Sequence, residues 1–271
     1  MFSQRHNILI LSAFLAFVVG ACSSSPTGRS QMILKSDAEL QAQASKEFAK
    51  LRAEAPLVTD SVTVGFVHCV AVAIVESLQG PEKDLNWELA VIDTQAQNAF
   101  VMPGGKIAVY EGILDVASNQ NELATVMGHE VAHVTARHAN ERASRGEMTD
   151  IGVYIAAIVL GQGHGGLTHT AQQSLSAGAQ LGIFLPHTRS QESEADILGL
   201  EYMARAGFDP RESVELWKKM QKEHEDEAPP EFLSTHPSSE TRIENRVSQY
   251  PKVLVLFNEA REQGKNPNCT R

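Results

Sequence analysis

The sequence predicts an α+β domain, mainly helical, with one small antiparallel sheet and a long active-site helix. Three observations predict it. Apolar residues recur at helical spacing along most of the chain, and an alternating stretch with a Pro-Gly-Gly turn lies between residues 85 and 110. A His-Glu-x-x-His run sits inside the longest helical pattern. The chain has 271 residues, 42% of them hydrophobic, enough for one sizeable core.

Residues 36–54 predict the first helix, with Ser36 and Glu39 in a capping-box pattern, an apolar stripe of Leu40, Ala44, Phe48 and Leu51, and Pro56 beyond its end. Residues 62–78 predict the second, with Val62, Phe66, Cys69, Val70, Ala73 and Ile74 on one face. Leu85, Trp87, Leu89 and Val91 alternate as a strand does, and residues 99–102 and 106–110 flank Pro103-Gly104-Gly105 as a hairpin. Asn119 to Ala143 predicts one long helix, capped by Asn119 with Glu122 at its third position. Residues 151–160 form an apolar run too short for a bilayer, followed by a glycine-rich break at residues 161–166. Helices follow over residues 193–205 and from Asp209-Pro210 to Lys222. An acidic loop with Pro229-Pro230 comes next, then a last helix from Pro237 to Tyr250, which Pro251 ends.

The N-terminus carries an address. Arg5 and His6 precede an apolar run over residues 8–19, shorter than the roughly 20 residues of a membrane span and suited to a signal peptide. Residues 1–21 are therefore read as a lipoprotein signal peptide, because Val19-Gly20-Ala21-Cys22 resembles a bacterial lipobox with Cys22 as the lipidated residue. The alternative is an ordinary signal peptide in which Cys22 is incidental. Ser23, not Asp, follows the cysteine, and by resemblance to lipoprotein sorting rules this favours the outer membrane, facing the periplasm. Residues 22–35 are read as a flexible polar tether and residues 36–271 as the folded domain. In an oxidising compartment Cys69 and Cys269 form an even pair that can bridge, with two unpaired thiols as the alternative. With 23 basic against 33 acidic side chains and a net charge of -10, the chain is a poor match for nucleic acid.

His129-Glu130-Val131-Ala132-His133 is the strongest chemical signal. Helical residues four apart project about 40° apart around the axis, so both imidazoles can grip one zinc ion while Glu130, on the flank, reaches a water beside it. Two surface histidines are the bland alternative. A hydrolytic zinc takes three protein ligands and keeps one open position. Glu192, Glu194 and Asp196 offer the third ligand, and Glu192 and Asp196 share a helical face while Glu194 points elsewhere. Glu192 is thus read as the ligand and Asp196 as the carboxylate that orients a ligand histidine, against the alternative of an ordinary acidic helix start. His138, five residues past His133, should turn away from the metal face, and His164, His169 and His187 are read as surface residues.

These motifs resemble the M48 metallopeptidases, gluzincins of the HtpX and prenyl-protein CAAX endopeptidase type. Asn98-Ala99-Phe100-Val101-Met102-Pro103-Gly104-Gly105 resembles that family's segment before the active-site strand, and Ser234-Thr235-His236-Pro237-Ser238 with Arg242 resembles its C-terminal His-Pro motif. The resemblance runs from about Ser36 to Tyr250. The embedded members carry several transmembrane helices, and none is read here, so the chain is similar to the soluble periplasmic lipoprotein branch.

The resemblance implies a zincin-like domain with one Zn2+ per chain, held by His129, His133 and Glu192, and Glu130 as general base. It places His236 near the metal, donating to the tetrahedral intermediate or capping the metal at rest, and has Arg242 stabilise the oxyanion. A helix start at His236-Pro237 and a solvated Arg242 are the alternatives. An extended substrate would pair with the strand over residues 106–110. The implied task is degradation of unfolded or misassembled envelope proteins, with the outer-membrane assembly machinery as a partner. A lipid-anchored chaperone or scaffold with a latent protease site is the rival reading, and a zinc aminopeptidase a weaker third.

Overall fold

The computed structural model describes residues 22–145, 187–223, 232, 236 and 240–271. The signal-peptide stretch, the apolar run at residues 151–160, the glycine-rich break at 161–166, His164, His169 and most of the loop before His236 lie outside these described residues.

The stretch expected as a tether begins with an antiparallel hairpin, β1 (Cys22–Ser24) and β2 (Ser30–Met32), with Cys22 opposite Met32. Its turn closes through two backbone bonds between Ser25 and its neighbours Gly28 and Arg29. Ser25 and Gln31 are buried. Polar composition alone had suggested a solvated segment, but its side chains find partners on the domain.

Helix α1 (Asp37–Glu54) stops at Ala55, before Pro56, and buries Leu40, Ala44 and Phe48. The predicted capping box does not form, since the Ser36 hydroxyl makes no cap bond. Helix α2 (Ser61–Glu76) is capped by Asp60, whose carboxylate accepts from the Thr63 amide, and Val62 is exposed rather than part of the buried stripe.

Strands β3 (Glu88–Ile92), β4 (Ala99–Met102) and β5 (Lys106–Tyr110) form a sheet in the order β3-β5-β4. The β4–β5 hairpin is antiparallel as expected, but β3 pairs with β5 in parallel, so the sheet is mixed. The hairpin folds β5 back between its two predecessors, an ordering that alternation of side chains cannot reveal. Successive side chains alternate between faces. Ala90, Ile92, Met102 and Ala108 pack on the stripe of α1, while Val91, Ala99, Ile107 and Val109 join the main core.

The short helix α3 (Ile113–Val116) leads to α4 (Gln120–Thr135), where the Asn119 side chain caps the amides of Asn121 and Glu122. The predicted single helix through Ala143 is broken: Arg137 has φ 56°, in the left-handed region, and a second helix, α5, runs over residues 138–145. The Arg137 guanidinium is held by Asp37 at 2.7 Å.

Helix α6 (Arg189–Ala206) opens with a capping box between Thr188 and Gln191, α7 spans Glu212–Glu223, and α8 spans Glu240–Glu262. Pro251 lies inside α8 instead of ending it. The bond lost there is the one to the carbonyl of Val247, a residue 46% exposed, while Val253 is fully buried and Leu256 and Phe257 pack on the core beyond the proline. Packing of that face outweighs a defect that solvent can satisfy.

Helices α4 and α6 meet through two glycines. A Cβ on Gly128 would lie 2.8 Å from the carbonyl oxygen of Gly199, and one on Gly199 would lie 2.8 Å from the His129 backbone nitrogen. This close approach brings the His-Glu-x-x-His face against the start of α6. Cys69 and Cys269 are joined in a disulfide, tying the C-terminal tail to α2. No helix among the described residues is long and apolar enough to cross a membrane.

Candidate metal centre

Helix α4 contributes His129, Glu130 and His133, α6 contributes Glu192 and Asp196, and His236 comes from the segment before α8. All six are buried. Nε2 of His129 lies 3.1 Å from Nε2 of His133 and 3.4 Å from Oε2 of Glu192. Nε2 of His133 lies 3.4 Å from Oε1 of Glu192. Nδ1 of His236 completes the group, 3.1 Å from His129 Nε2 and 3.0 Å from Glu192 Oε1. Zinc–nitrogen bonds of about 2.0–2.1 Å set the vertices of a tetrahedron about 3.3–3.4 Å apart. These separations lie near such an edge, with Oε2 of Glu192 facing His129 and Oε1 facing His133 and His236, and three imidazoles and a carboxylate are donor chemistry that suits zinc.

Further charged side chains stand behind His129 and Glu192. Nδ1 of His129 stands 3.0 Å from Oδ1 of Asp196. Asp196 in turn accepts from Arg242 at 2.8 and 2.7 Å and from Arg246, and both guanidinium groups stack on Trp217, 4.7 and 4.3 Å from its ring centre. Arg242 also reaches Glu192 at 2.9 Å. The resemblance expects Arg242 at an oxyanion; here its guanidinium meets two carboxylates and donates to the His236 carbonyl at 3.3 Å.

Oε1 of Glu130 is buried and makes no hydrogen bond among the described residues, lying 3.3 Å from Nε2 of His236. Burial raises the Glu130 carboxyl above its usual range, against the pull of His236 and His129. Burial lowers the His129 imidazole, but the charges of Glu192 and Asp196 outweigh it and leave the pKa at about 9. For Glu192 and Asp196 burial pushes upward and is overcome by the cationic neighbours, so both lie well below the carboxylate range. Burial and the surrounding imidazoles hold His133 well below its ordinary value.

Two histidines read as bystanders belong to the cluster. His138 is fully buried, with Nδ1 2.8 Å from Nδ1 of His133 and Nε2 3.1 Å from Oε2 of Glu194. In an unbroken helix it would face away, and the left-handed Arg137 turns it back. The His187 side chain is 7% exposed, stacks on His236 with ring centres 4.8 Å apart, and touches Arg142. Arg246 was also missed, although its spacing of four from Arg242 on a helix was a legible sign. The strand expected to receive a substrate, β5, is central and paired on both sides, whereas β4 is the edge next to α4.

The fold is the zincin-like α+β arrangement. Residues 63–248 match the model of peptidase family M48, and the chain belongs to that family. The mitochondrial metalloendopeptidase OMA1 of Schizosaccharomyces pombe is 39% identical over 173 residues, covering 64% of this chain and 49% of that protein. The OMA1 metalloendopeptidase of Bos taurus is 30% identical over 256 residues, 90% of this chain and 49% of its own length. The beta-barrel assembly-enhancing protease of Escherichia coli (strain K12) is 28% identical over 218 residues, 78% of this chain and 44% of that protein. The chain spans about half the length of these curated relatives.

Proposed function

We propose that the chain is a zinc metalloendopeptidase that cuts unfolded or misassembled proteins of the bacterial envelope. The observation that carries this reading is the buried cluster of His129, His133, Glu192 and His236, whose donor atoms lie close enough to share one ion, with the Glu130 carboxylate beside it. His129, His133 and Glu192 hold one zinc ion, Asp196 orients His129, and Arg242 and Arg246 hold Asp196 in place. When bound, zinc supplies Lewis acidity and a water acidic enough to ionise near neutrality. Glu130 takes the proton of the attacking water and passes it to the leaving amine, and its burial suits it to both tasks. The outer edge of β4 offers main-chain groups to an extended peptide, which selects unfolded segments over particular sequences.

Cys22 carries the lipid that holds the protein at the outer membrane, facing the periplasm. The lipobox-like sequence supports this assignment, and similarity to the beta-barrel assembly-enhancing protease of Escherichia coli supports work alongside beta-barrel assembly. Replacing Cys22 by Ser should make the protein extractable without detergent; retention of tight membrane association would refute the anchor.

His236 favours a second reading. Its Nδ1 lies within reach of the same ion as His129 and Glu192 and would compete there with the attacking water, which would leave the site latent at rest and the protein a lipid-anchored chaperone or scaffold until His236 withdraws. One experiment separates the two. Casein degradation by the purified chain should stop with a chelator and in Glu130→Gln, which keeps its zinc. Cleavage that persists in Glu130→Gln would overturn the peptidase mechanism, and cellular effects that persist unchanged in it would favour the scaffold.

A further inference from the structure

The N-terminal hairpin reaches the metal centre through a continuous line of polar contacts that is buried from Glu194 inward. Arg29 Nε donates to Glu194 Oε2 at 2.9 Å, and its two terminal nitrogens donate to both oxygens of Glu141 at 2.9 and 2.7 Å. Thr27 gives its hydroxyl to Glu194 Oε1 at 2.5 Å and its amide to the same atom at 3.4 Å. Glu194 then meets His138 Nε2, and His138 Nδ1 meets His133 Nδ1. The side chains of His138 and Glu141 are fully buried and that of Glu194 is 3% exposed. One hairpin arginine thus bridges α5 and α6 on either side of His138.

The direction of the hydrogen bonds gives this line a purpose. For His133 to offer a lone pair at Nε2, its proton must sit on Nδ1 and be donated to His138 Nδ1. His138 must then carry its own proton on Nε2, which requires an acceptor there. Glu194 is that acceptor, because Thr27 and Arg29 fill its remaining positions with donors. The opposite order would place a proton on His133 Nε2, where the metal belongs. On the other ligand, Asp196 fixes His129 in the same sense.

We infer that Glu194 and His138 are positioning residues that set the tautomer of His133, and that Thr27 and Arg29 of the N-terminal hairpin hold them there, making the segment just after Cys22 part of the metal site. The inference rests on the zinc site of the proposed function and adds a chain of support that reaches toward the lipid-bearing end.

Zinc affinity of the full chain, measured by competition with a chromogenic chelator, tests it alongside the melting temperature of the zinc-free form. Outer-contact losses of this kind cost metal affinity tenfold to a hundredfold. Arg29→Met and Glu194→Ala should each weaken zinc binding by about tenfold or more, and Thr27→Val, a conservative change at an exposed residue, by severalfold. Gln31→Ala is the control, because Gln31 holds the same hairpin through the Ala136 carbonyl at 2.5 Å without touching Glu194. It should lower the zinc-free melting temperature and leave zinc affinity within about twofold of wild type, far from the tenfold of a lost outer contact. Wild-type affinity in Thr27→Val and Glu194→Ala would overturn the inference, as would an equal loss in Gln31→Ala, which would reduce the hairpin to packing. If the wild-type chain takes up zinc and the variants weaken it, but casein stays intact, the peptidase reading fails and the positioning role stands. A wild-type chain that takes up no zinc would end both.

Discussion

Oδ1 of Asp196 stands 3.0 Å from Nδ1 of His129, on the side of the ring opposite Glu192 and His133, and two stacked arginines keep the carboxylate there. A single buried carboxylate therefore faces the Nδ1 side of the His129 ring and also lies against the Arg242 and Arg246 guanidinium groups.

Asp196→Asn separates these two duties from the rest of the site. Loss of the orienting charge should weaken zinc binding about tenfold to a hundredfold. Loss of the counter-ion for Arg242 and Arg246 should also cost about 3 kcal/mol or more of stability, the scale for breaking a buried pair. Isothermal titration with zinc and denaturant unfolding of the zinc-free form measure the two effects separately.

The choice between the two glutamates is settled by stoichiometry. Glu192→Ala removes a donor atom, and the purified protein should lose zinc on dialysis. Glu194→Ala removes only the acceptor behind His138, so it should still reach about one zinc per chain at saturating metal. Elemental analysis that finds the reverse would exchange the two assignments.

His236→Ala tests latency. An imidazole that blocks the fourth position at rest would lower the competent fraction, so its removal should raise basal casein cleavage severalfold. A fall in turnover corresponding to about 2–4 kcal/mol would instead assign His236 to the transition state, as for one lost oxyanion donor. Activity equal to wild type would remove it from both roles.

Acid stability should depend on Glu141. Burial pushes its carboxyl upward, but the bonds from Arg29 and Gln191 more than offset this and leave it below 4.5. A carboxylate whose folded pKa is depressed contributes stability above its unfolded value, and that contribution is lost as pH falls through the folded value. Glu141→Gln should therefore cost about 1 kcal/mol at pH 7, modest because Arg29 is partly exposed, and progressively less as pH falls through the folded value of the carboxyl. Urea midpoints across an acid pH series check the sign.

Much of the site was legible before any coordinates. Residues four apart on a helix share a face, so His129 with His133 and Glu192 with Asp196 could be paired from spacing alone. The Asn119 cap and the apolar stripe Leu40, Ala44 and Phe48 followed from local rules in the same way. The hairpin of residues 22–32, the central place of β5 and the passage of α8 through Pro251 were not legible, because each depends on partners distant in sequence.

His138 shows where the boundary falls. The sequence by itself determined that His129 and His133 share one helix face with Glu130 on its flank, because helical periodicity is a property of the local backbone. Only the tertiary structure decided that Arg137 breaks the helix, that His138 turns back to His133, and that Glu194 and Arg29 wait behind it. A single left-handed residue, held by Asp37 from α1, redirects the chain, and no local pattern announces it. The same holds for Arg242, whose charge could be read from the sequence. Its task as a clamp on Asp196 and Glu192 exists only once α8 is laid against α6.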